Sequence, residues 1–180
     1  SLCGVNKKTA AFFFLRLREI IILELETESE VDEVVLLGKN KVSEVEAQDE
    51  GPCIWAVEAG WKVYTKIISD ASGVTLFPII ERKVVSDSIV YTESWGGYNA
   101  LDISDFRHFR INHSQLFVDA RDHINGIENF WNQARRHICR FNSVPKSQFE
   151  LYLKECEWGF NNSNPLTQLL KIRQWVKLYL

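Results

Sequence analysis

Three acidic residues occupy positions where a carboxylate is costly unless it has a partner. Asp32 lies inside the apolar run "VDEVVLL", Glu93 closes the apolar run "SIVYT", and Glu128 lies within "DHINGIENFWNQARRHICR". A buried acid in a sheet needs a charged partner or a metal ion. Carboxylates from two neighbouring strands and a packed helix can hold two divalent ions roughly 3.5–4 Å apart, which suits in-line phosphoryl displacement. Hard oxygen ligands favour Mg²⁺ or Mn²⁺ over Zn²⁺.

The segment around Glu128 has the periodicity of a helix. Its apolar face is predicted to consist of Ile124, Ile127, Trp131, Ala134 and Ile138. A neighbouring face carries Asn125, Glu128 and Asn132, and the next turns carry Arg135, Arg136, His137 and Arg140. Taken alone, this pattern is also typical of an ordinary amphipathic helix with a solvated polar side. The interpretation of Glu128 as a ligand therefore depends on Asp32 and Glu93.

The composition is typical of a folded protein, and its charge is unevenly distributed along the chain. The chain has 180 residues, 46% of them hydrophobic, and a net charge of −3. Residues 1–100 carry 10 Lys or Arg against 16 Asp or Glu, a net −6, and residues 101–180 carry 11 against 8, a net +3. A polyanion should therefore prefer the C-terminal half. A domain of this length can bury a substantial core.

Cysteine and methionine usage suggest the compartment and the origin of the chain. Four cysteines without paired spacing predict reduced thiols in an intracellular protein. The sequence contains no methionine, which indicates a fragment, a processed product or a conceptual translation. No apolar stretch approaches the roughly 20 residues of a membrane span, so we expect no membrane partner.

The order of predicted elements favours an α/β fold with a mixed sheet. A helix over residues 4–24, capped by Asn6 or Thr9, precedes a strand that ends at Gly38. A hairpin around Ala59-Gly60 and a helix opened by Ser72 follow. After them come a strand, a short helix after the turn "SWGGYNALD", another strand and three helices. Three antiparallel strands and then alternating strands and helices predict a ribonuclease-H-like mixed sheet flanked by helices.

Several of these segments resemble insertion-sequence transposases of the IS1595 group, specifically the IS1016-like members with an ISXO2-like transposase domain. The stretches "HINGIENFWNQARRH" and "FELYLKECEWGFNN" are similar to the C-terminal part of that domain, and "SEVDEVVLLGKNK" resembles its first-acid strand. The segments "TLFPII", "SDSIVYTESWGGYNALD" and "HFRINHS" resemble its middle. "GVNKKTAAFFFLRLRE" resembles the end of the helix-turn-helix that precedes it.

The resemblance implies a DDE-type catalytic domain that cuts and joins DNA ends using two Mg²⁺ or Mn²⁺ ions. It implies a helix-turn-helix remnant over 1–26 and a catalytic domain over 27–180. Asp32 would be the first acid, Glu93 the second, Asn125 the motif asparagine and Glu128 the third acid, with the three acids as metal ligands. The expected location is the cytoplasm and nucleoid of a bacterium, or the nucleus of a eukaryote.

Three departures from the family pattern favour an impaired or repurposed protein. The family has Asp where this chain has Glu93, and the added methylene moves the carboxylate by about a bond length. The region after the first strand is acidic here, through Glu44, Glu46, Asp49 and Glu50. The helix-turn-helix is also truncated. Two alternatives to an active transposase are a noncatalytic DNA-binding remnant and a nuclease of the same fold that hydrolyses DNA without joining it.

Basic residues near the predicted site are candidates for contacts with element ends and target DNA. Arg135, Arg136 and Arg140 follow Glu128 by one to three turns and could bind phosphates near the cut. The alternative is a solvated helix end that complements the helix dipole. Lys7 and Lys8, in the segment that resembles a helix-turn-helix, are further DNA-binding candidates. A homo-oligomer is also expected.

Overall fold

The computed structural model describes residues 4–26, 31–41, 53–59, 62–70, 72–93, 107–111, 118–141 and 144–180. The chain divides into two compact units, one of residues 1–28 with 144–180 and one of residues 29–143. The first unit is called the helical unit below, and the second the sheet unit. The predicted functional division into 1–26 and 27–180 stays a prediction, because compactness reports packing and not the role of a segment.

The sheet unit contains five described strands in one sheet. β1 spans Val31–Lys41, β2 Cys53–Ala59, β3 Lys62–Ile68, β4 Val84–Glu93 and β5 Arg107–Ile111. Their order is β3-β2-β1-β4-β5. β2 pairs antiparallel with β3 and with β1, whereas β4 pairs parallel with β1 and with β5. The predicted hairpin at residues 59–60 is confirmed, since β2 and β3 pair in register from Ala59 and Lys62 outward.

Helix α2 spans Gly73–Lys83 and connects β3 with β4. As predicted, Ser72 caps it, and the Ser72 hydroxyl accepts a hydrogen bond from the Thr75 backbone N–H at 3.4 Å. Pro78 lies inside this helix, which begins at Gly73. Leu76 and Ile80 are each only 1% exposed, so α2 presents an apolar face along its length. That face anchors the crossover against β4.

Helix α3 spans Val118–Ile138 and packs against β1 and β2. Three of the predicted apolar positions, Trp131, Ala134 and Ile138, are buried, which confirms that part of the stripe. The side chains of Ile124 and Ile127 lie outside the described part of the chain. Phe130 is fully buried beside Trp131, with ring centroids 5.1 Å apart and the planes at 62°. The C-terminal half of α3 is thereby fixed on the sheet.

The helical unit is built from α1 (Lys7–Glu26), α4 (Phe149–Asn161) and α5 (Pro165–Tyr179). A short 3₁₀ helix over Lys146–Gln148 leads into α4. The core of this unit is aromatic and aliphatic, and it consists of Ile20, Ile21, Leu25, Trp158 and Trp175. Asn164 caps α5, whose first residue is Pro165, a residue suited to that position because its missing N–H would have no partner there.

Within the described ranges, no helix is long and apolar enough to cross a bilayer. The predicted short helix after "SWGGYNALD" and the acidic segment with Glu44, Glu46, Asp49 and Glu50 lie outside the described residues.

Candidate active site

The first two predicted acids lie on adjacent parallel strands at the centre of the sheet. Asp32 is the second residue of β1, the middle strand of the five. Glu93 is the last residue of β4 and pairs with Ile111 of β5. The prediction that the strand of Glu93 lies beside the strand of Asp32 is confirmed, since β1 and β4 pair directly. The carboxyl ends of parallel strands are a common position for functional groups.

The register sets the two acids at different levels of the sheet. Glu33 pairs with Ile89, so Asp32 lies one residue before that level and Glu93 four residues after it. At about 3.3 Å per residue, this five-residue offset amounts to on the order of 16 Å along the strands. A two-metal site with ions roughly 4 Å apart needs its carboxylates much closer together. The convergence of the acids stays a prediction. For the carboxylates of Asp32 and Glu93 to meet, the pairing of β1 with β4 would have to shift by several residues.

An irregularity in strand pairing coincides with Asp32. Val31 pairs with Val84 and Glu33 with Ile89, so two steps along β1 correspond to five steps along β4. β4 therefore accommodates three additional residues opposite Asp32. Bulged strands bend and re-aim their residues, and they are frequent beside active sites. The irregularity itself lies before Ile89, whereas the regular pairing that begins with Glu33 and Ile89 sets the level of Asp32 relative to Glu93.

The other two predicted site residues, Asn125 and Glu128, belong to α3. Glu128 precedes the buried Trp131 by three residues, in the helix that packs against β1. The side chains of Asp32, Glu93, Asn125 and Glu128 lie outside the described residues, so their assignment as catalytic and metal-binding groups stays a prediction. Among the side chains that are described, no cluster of three His, Cys, Asp or Glu could hold a metal ion.

A basic surface lies at the C-terminal end of α3. Arg135 and Arg136 in the last turn of α3, and Arg140 just beyond its end, are exposed. The Nε of Arg136 donates a hydrogen bond to the Asn132 carbonyl at 3.1 Å, which holds this guanidinium near the helix. Cations here also complement the helix dipole. Both roles predicted for these residues, phosphate contact and solvated helix end, are compatible with this exposure.

The other predicted DNA-binding residues, Lys7 and Lys8, begin α1 in the helical unit. Both are exposed. Asn6 caps the helix, since its side-chain oxygen accepts a hydrogen bond from the Lys8 backbone N–H at 2.9 Å. Of the two predicted caps, Asn6 is therefore the one used.

Sequence reasoning missed a group of buried charges in the helical unit. Arg18 on α1 binds Glu155 on α4 through its Nε at 2.7 Å, and its guanidinium lies 3.9 Å from the ring centroid of Tyr152. Lys154 and Glu157 form a second pair at 2.7 Å, with side chains only 8% and 2% exposed. The burial of Arg18 could have been predicted from helical spacing. Arg18 precedes the buried Ile21 and Leu25 by three and seven residues and therefore lies on the same face of α1.

Comparison with protein families identifies the chain's lineage. Residues 24–161 match the family described as the ISXO2-like transposase domain, a span that includes all five strands, α2, α3 and α4. The chain belongs to the ISXO2-like transposase family. The resemblance inferred from the sequence segments is thereby confirmed.

This ISXO2-like transposase is also similar to one protein sequence and to one solved structure. An "Uncharacterized transposase-like protein" from Haemophilus influenzae is 54% identical over 116 residues, covering 64% of this chain and 94% of that protein. A chain in the simian T-cell lymphotropic virus intasome, determined in complex with PP2A regulatory subunit B56 gamma, superposes with a TM-score of 0.52 at 10% identity. That superposition covers 76% of this chain and 50% of the other, and it shows a shared fold alone.

Proposed function

We propose that this protein is a DNA transposase, or a direct derivative of one, that acts on element ends and target DNA by phosphoryl transfer. The observation that carries the proposal is the family match over residues 24–161, since it spans β1, β4 and α3, the elements with the predicted acids. The ribonuclease-H-like assignment of the fold is part of the proposal. It is supported by a sheet with two antiparallel and two parallel pairings around a central β1.

Within this proposal each predicted site residue has a distinct task. Asp32, on the central strand, and Glu93, on the strand beside it, would bind the divalent cations that phosphoryl transfer requires. Glu128 supplies the third carboxylate from α3, and Asn125, three residues earlier, orients a phosphate oxygen through its amide. The buried Trp131 anchors α3 close to both residues, so their backbone positions are fixed by packing.

The donor types fit a pair of hard divalent ions. Asp32, Glu93 and Glu128 would hold Mg²⁺ or Mn²⁺ through oxygen atoms alone, the ligand set that these ions prefer. The ions would supply electrostatic stabilisation of the charge that develops on the phosphoryl oxygens. The protein would have to hold the three carboxylates close together. The five-residue offset between Asp32 and Glu93 along their paired strands works against this.

DNA contact in this proposal falls to exposed arginines. Arg135, Arg136 and Arg140 present positive charge on one end of α3, in the half of the chain that carries the net +3. Phosphate contacts from such residues fix the position of DNA without reading its sequence. Lys7 and Lys8 would add contacts from α1. A homo-oligomer is part of the proposal as well, because two element ends have to be brought together.

The experiment is a cleavage and strand-transfer assay in Mg²⁺ and in Mn²⁺ on labelled DNA that carries the element's ends. Metal-dependent cleavage lost in Asp32→Asn and retained in Glu33→Gln, the neighbouring acid on the same strand, would support the proposal. Cleaved ends without joined product would indicate the nuclease alternative. Cleavage that survives Asp32→Asn would remove Asp32 from the site.

A noncatalytic DNA-binding remnant is the second candidate function. The strand register favours it, since Asp32 and Glu93 differ in level by five residues. The glutamate at position 93 favours it too, because the family has aspartate there. This candidate predicts DNA binding that is strongly dependent on salt and no cleavage in either metal. Binding and cleavage measured on the same sample therefore discriminate between the two functions.

A further inference from the structure

Helix α1 has a second apolar face that the helical unit does not cover. Its inner face, with Leu17, Ile21 and Leu25, is buried against α4 and α5. The opposite side carries residues spaced by four, three, four, four and three positions, and these are Lys8, Phe12, Leu15, Glu19, Leu23 and Glu26. We call this set the outer face of α1. Phe12 is 65% exposed and Leu23 is 52% exposed.

The spacing of the outer face is the spacing of a helix that packs on another helix. Positions that repeat after four and three residues stay on one side of a helix over its whole length. A large exposed phenylalanine at one end and a leucine at the other are unusual on a solvated helix side, where polar residues are expected. The outer face therefore has the pattern of a helix–helix seam without a partner among the described residues.

The charges of α1 run against its own dipole. Lys7 and Lys8 lie in the first turn, where negative charge is favourable, and Glu24 and Glu26 lie at the end, where positive charge is favourable. This arrangement weakens the helix when it stands alone. An antiparallel neighbour with the same charge order reverses the effect, because it brings glutamates to the lysine end and lysines to the glutamate end.

From these observations we propose that the outer face of α1 binds the outer face of α1 in a second copy of this chain, antiparallel and about a two-fold axis. With the axis level with residue 17, Lys8 lies opposite Glu26 of the second copy, and Phe12 lies within one residue of the level of Leu23 of the second copy. Each contact occurs twice by symmetry. Near the axis, Leu15 lies opposite Glu19 of the second copy, and Glu19 already pairs with Arg16 within its own helix.

The size of this surface determines the expected strength. α1 has 20 residues, so it is about 30 Å long at about 1.5 Å per residue. A single helix pair of that length buries less than the roughly 800 Å² per partner of a standard interface. A dimer held by the outer face alone should therefore be weak, with a dissociation constant on the order of micromolar to tens of micromolar. The inference concerns self-association and is independent of cleavage activity.

Charge exchange between the two ends of α1 tests the antiparallel arrangement. The dissociation constant of the full chain is measured by sedimentation equilibrium at low and at moderate salt. Lys8→Glu and Glu26→Lys alone each set like charges opposite each other twice, so each should weaken the dimer about tenfold. The combined Lys8→Glu/Glu26→Lys variant restores opposite charges and should recover the affinity. It also places charges in agreement with the helix dipole, so helix content measured by circular dichroism should not fall.

A matched pair of phenylalanine variants tests which side of the helix is used. Phe12→Ser should abolish the dimer, whereas Phe14→Ser, at a position 52% exposed and about 160° away around the helix, should leave it unchanged. A chain that stays monomeric at concentrations on the order of 100 μM would overturn the proposal. Dimers that do not respond to the charge exchange, or that form only when DNA is added, would overturn it as well.

Discussion

The two compact units of this protein differ in how their charged residues find partners of opposite charge. In the helical unit, charges are buried and paired, as in the contacts of Arg18 with Glu155 and of Lys154 with Glu157. In the sheet unit, the acids of interest stand on strands β1 and β4, and their proposed partners are divalent ions that the chain itself does not supply. The helical unit thus pairs these charges internally, whereas under the proposed function the sheet unit depends on bound ions.

This difference separates stability from function. A buried pair such as Lys154 and Glu157 contributes to folding only as long as both members are present, because removing one member takes an opposite charge away from a side chain that is almost completely buried. An acid whose partner is a metal ion is expected to cost stability in the absence of that ion. Substitutions should therefore lower the free energy of unfolding in the helical unit and change activity in the sheet unit.

The largest expected effect is on folding, at Lys154. Lys154→Met leaves the carboxylate of Glu157, whose side chain is 2% exposed, without its ammonium partner. We expect the free energy of unfolding to fall by about 3 kcal/mol. Urea unfolding followed by circular dichroism measures this, with Lys177→Met, an exposed lysine on α5, as the control. A Lys154→Met/Glu157→Leu double variant should regain most of the loss, and failure to do so would point to packing instead of charge.

The next effect is on activity, at Glu93. Glu93→Asp shortens the side chain to the length used by the family, and such a geometric correction can change a rate by on the order of a hundredfold. We expect metal-dependent cleavage to increase while thermal stability stays nearly the same. The readout is the initial rate of end cleavage in Mg²⁺ and in Mn²⁺. If the natural chain already cleaves DNA and the variant adds nothing, the site has adapted to glutamate and the impairment proposal fails.

A smaller effect is expected on DNA affinity. Arg135→Glu combined with Arg136→Glu removes two positive charges from the exposed end of α3 and adds two negative charges. We expect DNA binding at low salt to weaken at least about tenfold, and the salt dependence of the binding constant to become shallower by about two counterions. Fluorescence anisotropy at several salt concentrations measures both quantities. Arg173→Glu on α5 is the control, and an equal loss there would indicate general electrostatic attraction only.

The smallest effect concerns acid stability at the start of α2. Hydrogen bonds from the Ser72 side chain and backbone, and from Thr75, lower the pKa of Asp70 from 3.8 to about 2. A lowered folded-state pKa means that the stabilisation is present above pH 3.8 and is lost as the pH falls toward 2. Asp70→Asn should therefore flatten the dependence of thermal stability on pH between these values. An identical pH dependence in both proteins would show that the exposed Asp70 contributes nothing measurable.

Local features of the sequence determined most of the helices. Asn6 and Ser72, both named as caps from the sequence, each stand directly before a helix and accept a hydrogen bond from its first turn. The spacing of Trp131, Ala134 and Ile138 identified the buried side of α3. These predictions succeed because caps and periodicity act over a few residues of chain. Family membership was likewise readable from contiguous segments.

Tertiary structure alone decided how distant segments meet. Arg18 and Glu155 are separated by 137 positions, and nothing local to either residue specifies the other. The grouping of residues 1–28 with 144–180 has the same origin. The level of Asp32 relative to Glu93 depends on the pairing of Glu33 with Ile89. The apolar pattern of each strand is satisfied similarly by several registers, so it does not specify this pairing by itself. The sequence thus determined which acids to consider, and the register of two strands decides whether they can act together.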